Sequence, residues 1–149
     1  MEKWDQRFLD LAKHIATWSK DRSTHVGAVI VGPHHREIRS TGYNGFPPGV
    51  DDDLEDRHQR PRKYLFVEHA ERNAIYFAAL NGIRLEGCTL YATMFPCADC
   101  ARGIIRAGIK RVVAIQPDRP DWAEQHKAAR LMFDEADVAV LECETVVLT

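Results

Sequence analysis

Apolar residues at Trp4, Phe8, Leu11, Ile15 and Trp18 recur at alternating steps of four and three, which lays one stripe along the side of a helix. The period then changes. Val26 to Val31 is an almost unbroken apolar run ended by Gly32-Pro33, the pattern of a strand covered on both faces. Glu37 to Gly42 reads as a weaker strand that pairs with it as an antiparallel hairpin across Gly32-Pro33-His34-His35-Arg36. From Tyr43 to about Lys63 no period is visible. That stretch holds turn formers, an acidic cluster (Asp51-Asp52-Asp53-Leu54-Glu55-Asp56) and a basic one (Arg57-His58-Gln59-Arg60-Pro61-Arg62-Lys63). A loop of this length in a compact domain is uncommon unless it serves as a lid or binding loop or is disordered.

Beyond the loop the chain alternates. A helix from about His69 to Leu80 is stopped by Asn81-Gly82, a strand covers Thr89 to Thr93, and a second helix opens at Cys97 and ends near Gly108. The strand Arg111 to Ile115 follows at once. Asp121 and Glu124 have capping-box spacing and open a helix whose Ala128, Leu131 and Met132 are expected to face inward. Val138 to Leu141 is the last clear strand, with a weaker extra one at Thr145 to Leu148. Strands alternating with helices predict right-handed crossovers and parallel pairing in this half. The expected architecture is α/β: a three-layer α/β/α sandwich with a mixed five-stranded sheet, in a single domain spanning residues 1–149.

Composition narrows the function classes. With 45% hydrophobic and 28% charged residues the chain is that of a globular protein, and no apolar run reaches the length of a membrane span. The opening Met1-Glu2-Lys3-Trp4-Asp5 mixes acid and base, so no signal peptide is read there and the expected compartment is the cytoplasm. A formal net charge of −2 gives no global attraction to nucleic acid or to anionic membrane, which makes a polynucleotide substrate unlikely. Of the four cysteines, Cys88 and Cys143 read as ordinary buried residues. The other two form Cys97-x-x-Cys100, which in an unexported chain points to metal or redox chemistry.

Two segments carry that chemistry: His69-Ala70-Glu71 and Pro96-Cys97-Ala98-Asp99-Cys100. They supply three zinc ligands, His69, Cys97 and Cys100, and one spare carboxylate, Glu71. A structural zinc is closed by four protein ligands, whereas a hydrolytic one keeps a position for water and needs a base nearby. Both segments fall at helix starts, where unpaired N–H groups and the positive helix end favour the thiolate forms that bind metal. Zinc suits a nitrogen-and-sulfur donor set. The water it holds has its pKa lowered toward about 7, giving hydroxide, and Glu71 would act as the proton shuttle. Three other readings remain: a thioredoxin-like redox pair, a structural zinc closed by Cys88 or a further histidine, and Glu71 as a helix-dipole acid. His14, His25, His34, His35, His58 and His126 read as solvated. Tyr43, Phe46 and Phe95 are candidates to stack on a base, Phe95 foremost because it adjoins the ligands. Arg57, Arg60, Arg62 and Lys63 could hold a 5′-phosphate or simply balance the loop's own acids.

The histidine, glutamate and P-C-x-x-C signature resembles that of zinc-dependent base deaminases. Within that superfamily the chain is most similar to deoxycytidylate (dCMP) deaminases, through Val26-Gly27-Ala28-Val29-Ile30-Val31, Gly42-Tyr43-Asn44-Gly45-Phe46-Pro47, His69 to Ile75, Phe95 to Ala101, Gly108-Ile109 and Ala128-Ala129-Arg130-Leu131. The resemblance implies a cytidine deaminase-like fold and hydrolytic deamination of dCMP to dUMP and ammonia, with attack at C4 of the ring. It implies that Glu71 passes protons to N3 and then to the departing amine, that the backbone of Ala70 lies near the pyrimidine O2, and that Asn44 touches sugar or base. It also implies a homo-oligomer, often a hexamer, and in some members a response to deoxynucleoside triphosphates. The chain departs from the family's usual residues at Glu68, Arg72 and Arg22, and the acidic half of the long loop would repel a phosphate. A cytosine, guanine, cytidine or tRNA-base deaminase is the alternative within the same chemistry.

Overall fold

β1 (Gly27–Val31) organises the sheet, because all five of its residues are buried and strands pair with it on both sides. β2 (Ile38–Tyr43) runs antiparallel to it as the other arm of a hairpin, with one irregularity of register between Ile30 and Val31. β3 (Thr89–Ala92) is antiparallel to the opposite edge of β1, and β4 (Arg111–Ile115) and β5 (Ala139–Cys143) extend the sheet in parallel, giving the order β2-β1-β3-β4-β5. This is the mixed five-stranded sheet that the alternation predicts. The computed structural model describes residues 1–144, so the weaker strand expected at Thr145 to Leu148 lies outside the described residues.

Alternate residues of the strands feed two apolar layers. Val29, Val31, Tyr91, Val113 and Ile115 pack on α1 (Lys3–Ala16) through Phe8, Leu9, Ala12 and Ile15. Ala28, Ile30, Leu90, Ala92, Val112 and Ala114 pack on α2 (Ala70–Leu80), α3 (Ala98–Arg106) and α4 (Ala123–Glu135). The result is the three-layer α/β/α sandwich. α1 is also tied down by a buried polar cluster, in which Asp5 receives both arms of the Arg111 guanidinium from β4 and the Tyr91 hydroxyl from β3, each at 2.8 Å.

Three local expectations change. α1 ends at Ala16, so Trp18 falls in the turn beyond it, half exposed, with its ring edge toward His14 and Tyr43. The inward face of α4 is His126, Ala129 and Phe133, with Met132 packed against the same core as expected, whereas Ala128 and Leu131 are not among its buried residues. Leu131 is 58% exposed, while Ala128 sits at the flank. The helix is thus rotated by one residue to place Phe133, the bulkiest apolar side chain, against Phe95. Asp121 does not cap α4: it lies in a 3-10 turn (Pro120–Trp122) and pairs with Arg119 instead.

The topology sets both motif segments at one end of the sheet. β2 and β3 run in the same direction, with β1 between them, so the chain leaving each strand reaches the same sheet end before entering α2 or α3. The two helix starts therefore meet across β1. α2 sits on β2 almost in backbone contact, since a side chain at Gly42 would begin 2.4 Å from the Ala70 carbonyl oxygen. The Ser40 hydroxyl donates to the Ala74 carbonyl oxygen at 2.6 Å and holds the same helix.

Candidate metal centre and pocket

His69 and Cys97 are the N-cap residues of α2 and α3, both with extended backbone. Cys97 caps by accepting the Cys100 N–H on its sulfur at 3.5 Å, and Pro96 precedes it where no N–H is needed. α3 ends where Gly108 takes φ of +82°, a conformation that side chains rarely adopt. Nδ1 of His69 lies 3.4 Å from both the Cys97 and Cys100 sulfurs. Tetrahedral zinc with ordinary Zn–N and Zn–S bonds requires about 3.5 Å for that separation. One nitrogen and two sulfurs, all within 4.8 Å of one another, are also the donor types zinc prefers. The residues therefore fit the ion.

The electrostatics agree with that use. The Cys97 sulfur is brought down to about 4, first by the hydrogen bond from the Cys100 thiol, with His69 and the Cys100 N–H adding to it. Cys100 is pushed up by its contact with Cys97 and by burial, and a bound divalent cation would displace the thiol proton. Hydrogen bonding to Cys97 raises the His69 imidazole. Glu71, in the first turn of α2, is only 4% exposed, and burial pushes its carboxyl up. A carboxyl raised in this way is better able to hold a proton than an exposed one, which suits a group that passes protons on.

These groups open into a pocket that includes Asp21, Thr24, Asn44, Arg60, Lys63, Tyr64, His69, Ala70, Glu71, Phe95, Arg119, Trp122 and His126 in its lining. Among the residues singled out from sequence, Asn44, Ala70, Phe95, Arg60 and Lys63 are thus brought to the metal centre. Asn44 is fixed there by both ends of its amide: Oδ1 accepts the Val26 N–H at 2.9 Å and Nδ2 donates to the Thr24 carbonyl at 2.8 Å. Arg57 and Arg62 are not brought there. Both stack over Phe66, and Arg57 donates to the Asp51 carbonyl while Arg62 pairs with Asp56. Tyr43 is exposed, and Phe46 is stacked on His58 beside a separate depression.

The acidic half of the long loop does not face the pocket, since Asp52 pairs with Lys20, Glu55 with Arg22 and Asp56 with Arg62. Glu68 and Arg72 also pair with each other at 2.6 Å, so these two unusual residues form one compensated unit beside His69. Sequence reasoning missed Asp21, Arg119, Trp122 and His126. His126 is buried rather than solvated, between Trp122 and Phe95, and burial pushes its imidazole down. His58 likewise has partners, the Phe46 ring and the Asp52 carbonyl. No helix among the described residues is long and apolar enough to cross a membrane.

Comparison with known proteins gives the same reading. Residues 2–116 match the family described as the cytidine and deoxycytidylate deaminase zinc-binding region. An "uncharacterized deaminase in luxG 3′ region" of Aliivibrio fischeri is 43% identical over 145 residues, covering 94% of this chain and 93% of that protein. The deoxycytidylate deaminase of Homo sapiens is 36% identical over 155 residues, covering 98% and 85%. The dCMP deaminase of cyanophage S-TIM5, solved in complex with dCMP and dUMP, superposes with a TM-score of 0.78 at 27% identity, covering 96% of this chain and 99% of that one. With the matched segment spanning both ligand motifs and most of the sheet, the chain belongs to the zinc-binding cytidine and deoxycytidylate deaminase family.

Proposed function

We propose that this protein hydrolyses dCMP to dUMP and ammonia, and that His69, Cys97 and Cys100 hold its zinc. The observation that carries the reading is the buried Glu71 carboxyl beside that donor set, at the base of a pocket whose lining also offers arginines. When bound, zinc supplies Lewis acidity, which makes water nucleophilic at neutral pH. Glu71 takes the proton that water loses on attacking C4 and delivers it to N3, then takes the remaining proton from the new C4 hydroxyl and delivers it to the amine as the C4–N bond breaks and the C4 carbonyl forms. Its burial suits this exchange, because desolvation favours the protonated form that must donate to the ring and to the amine.

The remaining lining residues orient the nucleotide. The Ala70 backbone N–H lies beside the ligand histidine, where it can meet the pyrimidine O2. Asn44 has an amide hydrogen beyond the one given to Thr24 and can offer it to sugar or base. Phe95 is almost fully buried, with Arg130 over its ring, and packs the wall behind the base. Arg60 and Arg119 are the guanidinium groups of the pocket and suit a 5′-phosphate. Tyr76, Phe77 and Leu80 are neighbours on the outer side of α2 and more than half exposed, an apolar face that supports assembly into a homo-oligomer. Free thiols at all four cysteines suit a reducing compartment such as the cytoplasm.

The test is ammonia release from dCMP, CMP, deoxycytidine, cytosine and guanine by the zinc-loaded enzyme. Turnover should be greatest with dCMP, and Glu71→Gln should lower kcat by about 10²-fold to 10⁴-fold. If a free base turns over while dCMP is inert, the substrate is wrong. If Glu71→Gln keeps full activity, the mechanism is wrong.

A further inference from the structure

Lys63 is a buried lysine in the pocket wall, with only 6% of its surface exposed. An ammonium group has three N–H donors, and here it is held by two partners, the Asp21 carboxylate and the Ser23 hydroxyl. Nζ lies 3.0 and 2.9 Å from the two carboxylate oxygens of Asp21 and 2.9 Å from the Ser23 hydroxyl. Asp21 is equally enclosed: its Oδ1 also accepts the backbone N–H groups of Ser23, at 2.9 Å, and Thr24, at 3.0 Å. Lys63 and Asp21 are thus committed to each other inside the protein.

The pair joins segments that are remote in sequence. Asp21 organises the turn between α1 and β1, while Lys63 lies in a 3-10 turn (Arg62–Leu65) of the long loop. That loop is closed at its base by paired backbone hydrogen bonds between Gly45 and Glu68, at 3.1 and 2.8 Å, but its middle needs a separate attachment. Lys63 supplies it. Arg60 reaches the same Ser23 hydroxyl at 3.3 Å, and Tyr64 follows Lys63 into the pocket lining. A buried ion pair is a poor way to gain stability, since desolvation offsets much of the attraction, but it fixes a geometry sharply.

Resting on the proposed dCMP deamination, we propose that Asp21 and Lys63 form a latch that seats the long loop on the α1–β1 turn, so that Arg60 and Tyr64 face the nucleotide. Lys63 is a positioning residue and not a phosphate ligand. The two roles predict opposite responses to loss of Asp21. A latch fails when either partner is lost, whereas a phosphate-binding lysine is released by removing its carboxylate.

The experiment is a double-mutant cycle on the zinc-loaded enzyme, with Asp21→Asn, Lys63→Met and the double variant assayed on dCMP and deoxycytidine. Each single variant should raise KM for dCMP about 10-fold or more while kcat stays within about 3-fold, because the metal ligands and Glu71 stand on other segments. The double variant should be no worse than the poorer single one. The latch is overturned if Asp21→Asn leaves KM unchanged or lowers it, or if the two losses multiply. Should Lys63→Met fail to fold, Asp21→Asn against the double variant decides: adding Lys63→Met costs nothing further for a latch and a further large factor for a phosphate ligand. Should the wild-type enzyme prove inert on dCMP, the proposed function fails by itself. The latch is then read from amide hydrogen exchange over residues 55–66, which must quicken in Asp21→Asn and overturns the latch if it does not.

Discussion

Gly42→Ala tests whether the metal centre depends on the seating of α2 against β2. A Cβ at this position would stand 2.4 Å from the Ala70 carbonyl oxygen, 2.5 Å from the Ala74 nitrogen and 3.0 Å from the Ala74 Cα. All three are helix backbone, so no rotamer change relieves the contact. The helix must retreat by roughly 1 Å or more to bring the 2.4 Å contact to an ordinary separation. Overpacking of this kind costs about 1–3 kcal/mol, which for a domain of this size lowers Tm by about 3–10 °C. The effect on the site is sharper. His69 and Glu71 travel with α2, whereas Cys97 and Cys100 stay with α3, and metal ligands tolerate only about 0.2 Å of error. Zinc affinity, read by competition with a chromogenic chelator, should fall at least about 10-fold. Gly45→Ala is the control, since nothing lies within 4 Å of the added Cβ and the residue has no positive φ. A Gly42→Ala protein that melts within about 1 °C of wild type and binds zinc as tightly would refute the reasoning.

Asp5→Asn removes the charge that holds the Arg111 fork and leaves a buried cluster incompletely paired. Thermal melting should drop by about 10 °C, from a loss near 3 kcal/mol, while Tyr91→Phe, which deletes one hydrogen bond, should cost about 1 kcal/mol. Burial raises the Asp21 carboxyl, but the Ser23 and Thr24 N–H groups and Lys63 outweigh it and bring the pKa from 3.8 to about 2. A depressed carboxylate stabilises the fold above its unfolded pKa and loses that contribution as pH falls through the folded one. The urea-denaturation gap between wild type and Asp21→Asn should therefore be about 2 kcal/mol at pH 7 and close progressively below pH 3.8; an unchanged gap at low pH would contradict the assignment. Arg119→Ala should raise KM about 10-fold for dCMP and leave deoxycytidine unaffected, because only the nucleotide presents a phosphate; equal effects on both would place the phosphate elsewhere.

The chemistry was legible in the sequence because its residues lie in two short segments whose local pattern also marks helix starts. His69-Ala70-Glu71 and Pro96 to Cys100 carry donor types, spacing and capping together, and each fact supports the others. The apolar layers were legible for the same reason, since β1 and α1 carry strong local periods. The rotation of α4 was not. Ala128 to Phe133 offers apolar residues on nearly every side, and the choice is made by distant partners: Phe95 receives Phe133, and β5 receives Arg130 through Glu142. Trp18 was misplaced because the apolar step continued past the point where the helix stops.

The pocket's outer wall was the least legible part, and the cause is topological. Asp21, Arg60, Lys63, Arg119 and His126 come from the α1–β1 turn, the long loop, the segment between β4 and α4, and α4 itself. No local pattern joins them, and each has an ordinary surface role when read alone. Counting the loop's charges gave a balance of acid and base that argued against a phosphate, yet the structure separates them: the acids pair outward with Lys20, Arg22 and Arg62, while Arg60 and Lys63 turn inward. Net charge along a segment is thus a weak guide once side chains choose faces. The same separation divides the labour of the molecule. In the proposed reaction, helix starts on a rigid sheet end hold the reacting groups, where small displacements abolish chemistry, and the irregular segments, which can vary without disturbing the sheet, are left to meet the part of the substrate that distinguishes one cytosine compound from another.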